Sequence, residues 1–68
     1  MSQDDGLTSI EREAATLFAR HAEILELMVI RTRSFGMPGW ADELDRLVDN
    51  AKTFERRIRD KGKRRAEA

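Results

Sequence analysis

A single imidazole, His21, and the absence of cysteine limit the chemistry that 68 side chains can support. Acyl transfer needs a nucleophile, a base and an orienting group converging in one cleft. Ser9, Thr16, Thr32, Ser34 and Thr53 are instead dispersed along the chain and share that one imidazole. A metal site built on a helix needs several ligands at one-turn spacing on a common face. Glu23 follows His21 by two residues and so lies on a different face. The carboxylates Glu23 and Glu26, and Asp42, Glu43, Asp45 and Asp49, read as solvated helix surface. Gly36-Met37-Pro38-Gly39 lacks the lysine and the glycine spacing with which backbone amides wrap a phosphate. No enzyme, metal or cofactor is expected, and no small-molecule substrate.

The cations form the second candidate group. Arg56, Arg57, Arg59, Lys61, Lys63, Arg64 and Arg65 fall within ten residues, enough for a segment that tracks phosphates. The zero net charge hides a split, because residues 1–55 carry six basic and eleven acidic side chains and residues 56–68 carry seven and two. The same cations suit the negative end of a helix dipole, and an antiparallel hairpin would return them beside Asp4, Asp5, Glu11 and Glu13. No aromatic residue is interleaved among them for base stacking.

The elements that must carry these groups are helices. Thr8-Ser9-Ile10-Glu11 spells a capping box, so a first helix begins there. Ile10, Ala14, Leu17, Phe18, His21, Ile24, Leu25 and Met28 then follow the three-and-four spacing of one helical face, which makes His21 a partly buried core residue. Gly36 and Pro38 stop that helix. The second helix is expected from Trp40, with Asp42 and Glu43 in its first turn and a seam of Trp40, Leu44, Leu47, Ala51, Phe54 and Ile58. The resulting plan is all-α: a flexible N-terminus over 1–7, an antiparallel two-helix hairpin over 8–60, and a basic, frayed tail over 62–68. Within the hairpin the helices run about 9–35 and 40–61, around a loop at 36–39. Folding about that loop sets Met28 near Leu47, Ile24 near Ala51 and His21 near Phe54.

A lone hairpin of this size rarely buries enough apolar surface to offset its conformational entropy. Leu27, Val29 and Ile30 lie off the main stripe of the first helix. A homodimer forming a four-helix bundle is the simplest remedy, with Leu17, Phe18, His21, Leu25, Leu27, Met28 and Ile30 as the self-association set. If two copies of His21 met in such a dimer, protonation would loosen it. In size and hairpin plan the chain resembles plasmid copy-number regulators of the Rop type. The stretch Glu43-Leu44-Asp45 with Leu47-Val48 is similar to the Glu-Leu-Asp segment of small two-helix phosphatases of sporulation response regulators. It covers five residues, and it departs in Asp42, where that family carries an amide, and in Ala41, where it carries Ser. That resemblance implies a helical hairpin acting on a protein partner.

The expected function is that of a small regulatory or adaptor protein, such as an inhibitor of a larger protein. It would act through helix-face contacts, with Phe35, Met37 and Trp40 around the loop as a docking tip and Trp40 also closing the core. The alternatives are a nucleic-acid-binding accessory protein using the arm at 56–65, and a structural subunit of a larger assembly. No apolar run approaches the ~18 residues of a membrane span, and Met1-Ser2-Gln3-Asp4-Asp5 opens without the charge pattern of a secretory signal. The expected location is cytoplasmic.

Overall fold

In the computed structural model, which describes residues 5–67, two helices pack as an antiparallel hairpin: α1 (Ser9–Ser34) and α2 (Pro38–Glu67). The capping box forms as the sequence predicts. The Glu11 amide donates to Thr8 Oγ1 at 3.1 Å, and the Thr8 amide donates to Glu11 Oε1 at 3.0 Å. At the other end Gly36 takes a left-handed φ of 72°. Its amide donates to the Arg33 carbonyl and that of Met37 to the Thr32 carbonyl, the paired bonds of a Schellman stop. Pro38 then occupies the first position of α2, where its missing N–H costs nothing. The helix therefore starts two residues before Trp40, and Asp42 and Glu43 fall beyond its first turn.

The hairpin core is made of small residues. Ala22, Leu25 and Val29 of α1 pack with Ala41, Val48 and Ala51 of α2, with Phe18 and Leu44 half-buried beside them, and Ala15 is buried nearer the start of α1. These positions step by threes and fours, as a helix seam must. Leu25, Leu44 and Ala51 hold the places read for them, but elsewhere the inward position is the residue after the expected one. Ala22 takes the inward place read for His21, and Ala41 and Val48 take those read for Trp40 and Leu47. The physical reason is axis separation, which depends on the side chains at the contact, so alanines let the backbones approach. The register stays within about a turn of expectation: Lys52 meets Glu26 at 3.4 Å, and Arg33 meets Asp45 at 3.5 Å.

The same economy extends α2. Instead of fraying from residue 62, the helix continues through Gly62 to Glu67. Gly62 is buried under the segment Asp5-Gly6-Leu7, where a Cβ would run into the Leu7 side chain and the Asp5 carbonyl. Gly6, at φ 71°, lies against the Gly62 carbonyl with no room for a Cβ of its own. Leu7 is buried, and its amide donates to Asp5 Oδ1 at 3.0 Å. Residues 5–7 thus pack against α2 at Gly62. Residues 1–4, Asp4 among them, and residue 68 lie outside the described ones.

The described chain extends 49 × 20 × 13 Å, one helix thick. Among the described residues, no helix is long and apolar enough to cross a membrane.

Candidate interaction surface

Turning small residues inward has a consequence for the large ones. Successive residues advance about 100° around a helix, so the position just before each inward residue emerges on one flank of the hairpin. On α1 the residues preceding Ala15, Ala22 and Val29 are Ala14, His21 and Met28; on α2 those preceding Ala41 and Val48 are Trp40 and Leu47, and Phe54 follows Leu47 after seven residues on the same row. In an antiparallel pair these two rows share a face. Stacking of Phe18 on Phe54, with ring centroids 5.6 Å apart, joins them. Leu17 and Ile24 widen the α1 row, and Leu17, Ile24, Met28, Leu47 and Phe54 are all exposed. A shallow recess of about 390 Å³ among Ala14, Leu17, Phe18 and His21 indents this face.

The opposite flank carries ion pairs, with Ile30 exposed among them. Four residues after Ala22 and Val29 stand Glu26 and Arg33, and four after Ala41 and Val48 stand Asp45 and Lys52. They pair across the helices as Glu26 with Lys52 and Arg33 with Asp45, Arg33 also reaching Asp42 at 3.9 Å. Exposed pairs of this kind contribute under about 1 kcal/mol each. They mark this flank as the solvated one.

The residues expected to mediate self-association therefore separate. Leu17, His21 and Met28 are gathered on the apolar face, while Phe18 lies at its floor, half-buried against Phe54. Leu25 belongs to the hairpin core at 8% exposure and has no surface to offer a second molecule. Leu27 lies on the outer side of α1 next to Ile24, and Ile30 lies on the flank of Glu26 and Arg33. His21 is exposed, not a core histidine, because the adjacent Ala22 fills the inward site.

Around the loop, Phe35, Met37 and Trp40 are exposed, at 74%, 46% and 64%. Trp40 does not close the core, since Ala41 points inward in its place. A recess of about 300 Å³ lies between Met37, Gly39, Trp40 and Glu43. Of the Glu-Leu-Asp stretch, Glu43 faces this recess and pairs loosely with Arg46, Leu44 packs on the core and Asp45 meets Arg33.

The seven cations do not form one patch, because α2 stays helical and distributes them around its circumference. Arg57, Lys61 and Arg64 follow one strip with Asp60 around a recess of about 300 Å³, on the side of the apolar face. Arg57 lies over the Phe54 ring at 5.9 Å from its centroid. Arg59 donates to Glu55 Oε2 at 2.9 Å and, with Lys63, lines the recess beside Asp5 and Leu7. Arg56 lies on the Arg59 side. Arg65 folds back onto α1, its Nη2 donating to Glu11 Oε2 at 2.8 Å and its Nη1 to the Gly6 carbonyl at 3.3 Å. The Arg65 guanidinium and the Thr8 amide together hold the Glu11 carboxyl down at about 2. Asp5 is lowered to about 2 as well, by Arg12 first and the Leu7 amide second. Each pairing raises the partner arginine in turn.

Sequence reasoning missed Leu47 and Phe54 as surface residues. The available signal was the smaller residues: Ala15 and Ala22 repeat at seam spacing beside the larger stripe of α1, as Ala41 and Val48 do beside that of α2. Among the described residues, no group of three or more His, Cys, Asp or Glu side chains gathers as a metal site. Compared with protein-family models, with curated proteins and with solved structures, the chain matches none.

Proposed function

We propose that this protein is a small, non-enzymatic regulatory or adaptor protein that works through protein–protein contacts on the apolar hairpin face. The carrying observation is the division of the hairpin into a flank of ion pairs and a flank of exposed Leu17, Ile24, Met28, Leu47 and Phe54. Scattered exposed apolar residues are ordinary on any protein, but a contiguous two-helix face of them marks an interaction site. A two-stranded coiled coil uses two apolar positions per heptad; a third row beside them is the pattern of a helix with more than one neighbour. The structure that satisfies both helices is a four-helix bundle, two further helices lying across the face.

Affinity capture from the cells that make the protein tests this reading, with wild type and a Leu17→Gln/Leu47→Gln double variant as baits. Circular dichroism confirms that both are helical. A protein retained by wild type and lost by the variant supports the reading; equal retention by both overturns it.

A second reading rests on the strip of Arg57, Lys61 and Arg64, spaced by four and three on one side of α2. There the protein binds nucleic acid through phosphates, and the affinity falls steeply with salt, whereas an apolar contact changes little. Duplex binding measured at two salt concentrations separates the two readings.

A further inference from the structure

We infer that the occupant of the apolar face is a second copy of this chain, packed antiparallel about a two-fold axis at the level of Glu26 and Asn50. The inference rests on the reading of that face as an interaction surface and adds the identity and orientation of what covers it. Three observations carry it.

The first is size. A standard protein interface buries about 800 Å² on each side, and the described chain measures 49 Å by 20 Å, with the apolar residues from Leu17 to Phe35 running along about 27 Å of helix. A single target helix would fill the groove between α1 and α2 and leave the outer residues Leu17 and Ile24 uncovered. A second two-helix layer covers the whole width.

The second is register. The Glu26–Lys52 pair sets residue 26 of α1 level with residues 50 to 52 of α2. A two-fold axis through that level, perpendicular to the helices and lying in the contact plane, packs α1 on α1 and α2 on α2, each pair antiparallel. It places Ile24 opposite Met28 of the second copy, Leu17 opposite Phe35, and Leu47 opposite Phe54. One axis therefore matches Leu17, Ile24, Met28 and Phe35 of α1 and Leu47 and Phe54 of α2, while Trp40 falls opposite Asp60 at the end of the contact, and it gives Phe35 a partner that the hairpin itself does not supply.

The third is charge. Along the edge of the α2 row run Glu43, Asn50, Arg57 and Arg64, from acidic near the loop to basic at the far end. The same axis brings Glu43 opposite Arg57 of the second copy and leaves Asn50 facing Asn50. A parallel arrangement would instead stack the Arg57 and Arg64 ends on one another, and like charges brought together oppose association.

The chain has no cysteine, so single introduced thiols report contacts cleanly. The experiment combines light scattering with oxidative cross-linking of Asn50→Cys and of Arg46→Cys, the latter one turn from the axis, so that its two copies lie about 12 Å apart along the helices. The expected result is a mass twice the 7.8 kDa of the chain, with rapid disulfide-linked dimer from Asn50→Cys and none from Arg46→Cys. A dimer in which both variants cross-link equally overturns the axis. A monomer that binds an apolar fluorescent dye, with binding lost in a helical Leu47→Glu variant, overturns the second copy as occupant and leaves the interaction face standing. A monomer that binds no dye overturns both.

Discussion

Glu11 joins two structures with one carboxylate, closing the capping box on Thr8 and receiving Arg65 from the far end of α2. Both contacts favour its ionised form, as Arg12 and the Leu7 amide do for Asp5. For carboxyls lowered in the folded state, the added stability is fully present above the unfolded values of 3.8 and 4.5 and is lost as pH falls toward about 2. Thermal melts should therefore give a lower Tm near pH 2 than near about pH 5. Glu11→Gln should flatten part of that drop, because the amide oxygen can still accept from Thr8 while the charge that titrates is gone. An unchanged pH profile in that variant would show that Arg65 does not hold Glu11 in solution. Gly62 carries a second expectation, in which two effects oppose each other. Alanine raises helix propensity by about 1 kcal/mol, yet its methyl would strike Leu7 and the Asp5 carbonyl. Gly62→Ala should keep α2 helical and release the N-terminal segment, read as faster hydrogen exchange at the Leu7 amide. Exchange no faster than wild type would mean that the segment does not pack there.

At the scale of the helices, the choice of seam is the decisive event, and core substitutions report it directly. Ala22 is buried between the helices at 3% exposure, whereas Ile24 lies on the open face at 59%. Ala22→Leu should cost about 1–3 kcal/mol by overpacking, while Ile24→Leu, measured at protein concentrations low enough to keep the chain monomeric, should stay within about 0.5 kcal/mol as a surface change. Urea denaturation measures both, and the opposite order would restore the seam through His21 and Ile24. Thr8→Ala should cost about 1 kcal/mol in the same measurement, because it leaves the Glu11 amide without its capping oxygen. Much of this level was legible in the sequence. The capping box, the glycine stop, two helices and their approximate register all follow from local chemistry at Thr8, Glu11, Gly36 and Pro38. The rotation of each helix about its axis was not, because two adjacent stripes compete on each. A hydrophobicity argument selects the larger residues, and close approach of the axes selects the smaller. Trp40 beside Ala41 and Leu47 beside Val48 show the conflict in two steps of the chain. For the same reason the candidate surface was only half legible, with Leu17 and Met28 recognised and Leu47 and Phe54 assigned to the interior. The packing of Asp5–Leu7 on Gly62 was hidden for another reason. Its anchor, Gly62, lies more than fifty residues away, and a glycine near a helix end reads locally as a stop.

The whole molecule is a layer 13 Å thick, whose largest apolar side chains lie outside its own core. A chain of 68 residues buries a smaller fraction of its surface than a larger domain can, and here the inward share falls mostly to alanine and valine. Stability and association are then expected to be one quantity. Anything that binds the folded state alone raises its apparent stability by mass action, and for self-association the ligand is the protein itself. The midpoint of thermal unfolding should accordingly climb as protein concentration rises. Added salt should leave the association largely intact, since screening weakens exposed ion pairs far more than apolar contacts. Leu47→Glu should abolish the concentration dependence and lower the midpoint at high concentration to its value at low concentration, with the ion pairs of the opposite flank untouched. Calorimetry over a concentration series at two salt levels checks all three statements. A midpoint independent of concentration in the wild-type protein, accompanied by a monomeric mass, would mean that the alanine seam and the Gly62 contact suffice, and the exposed face would then be kept for a partner other than this chain.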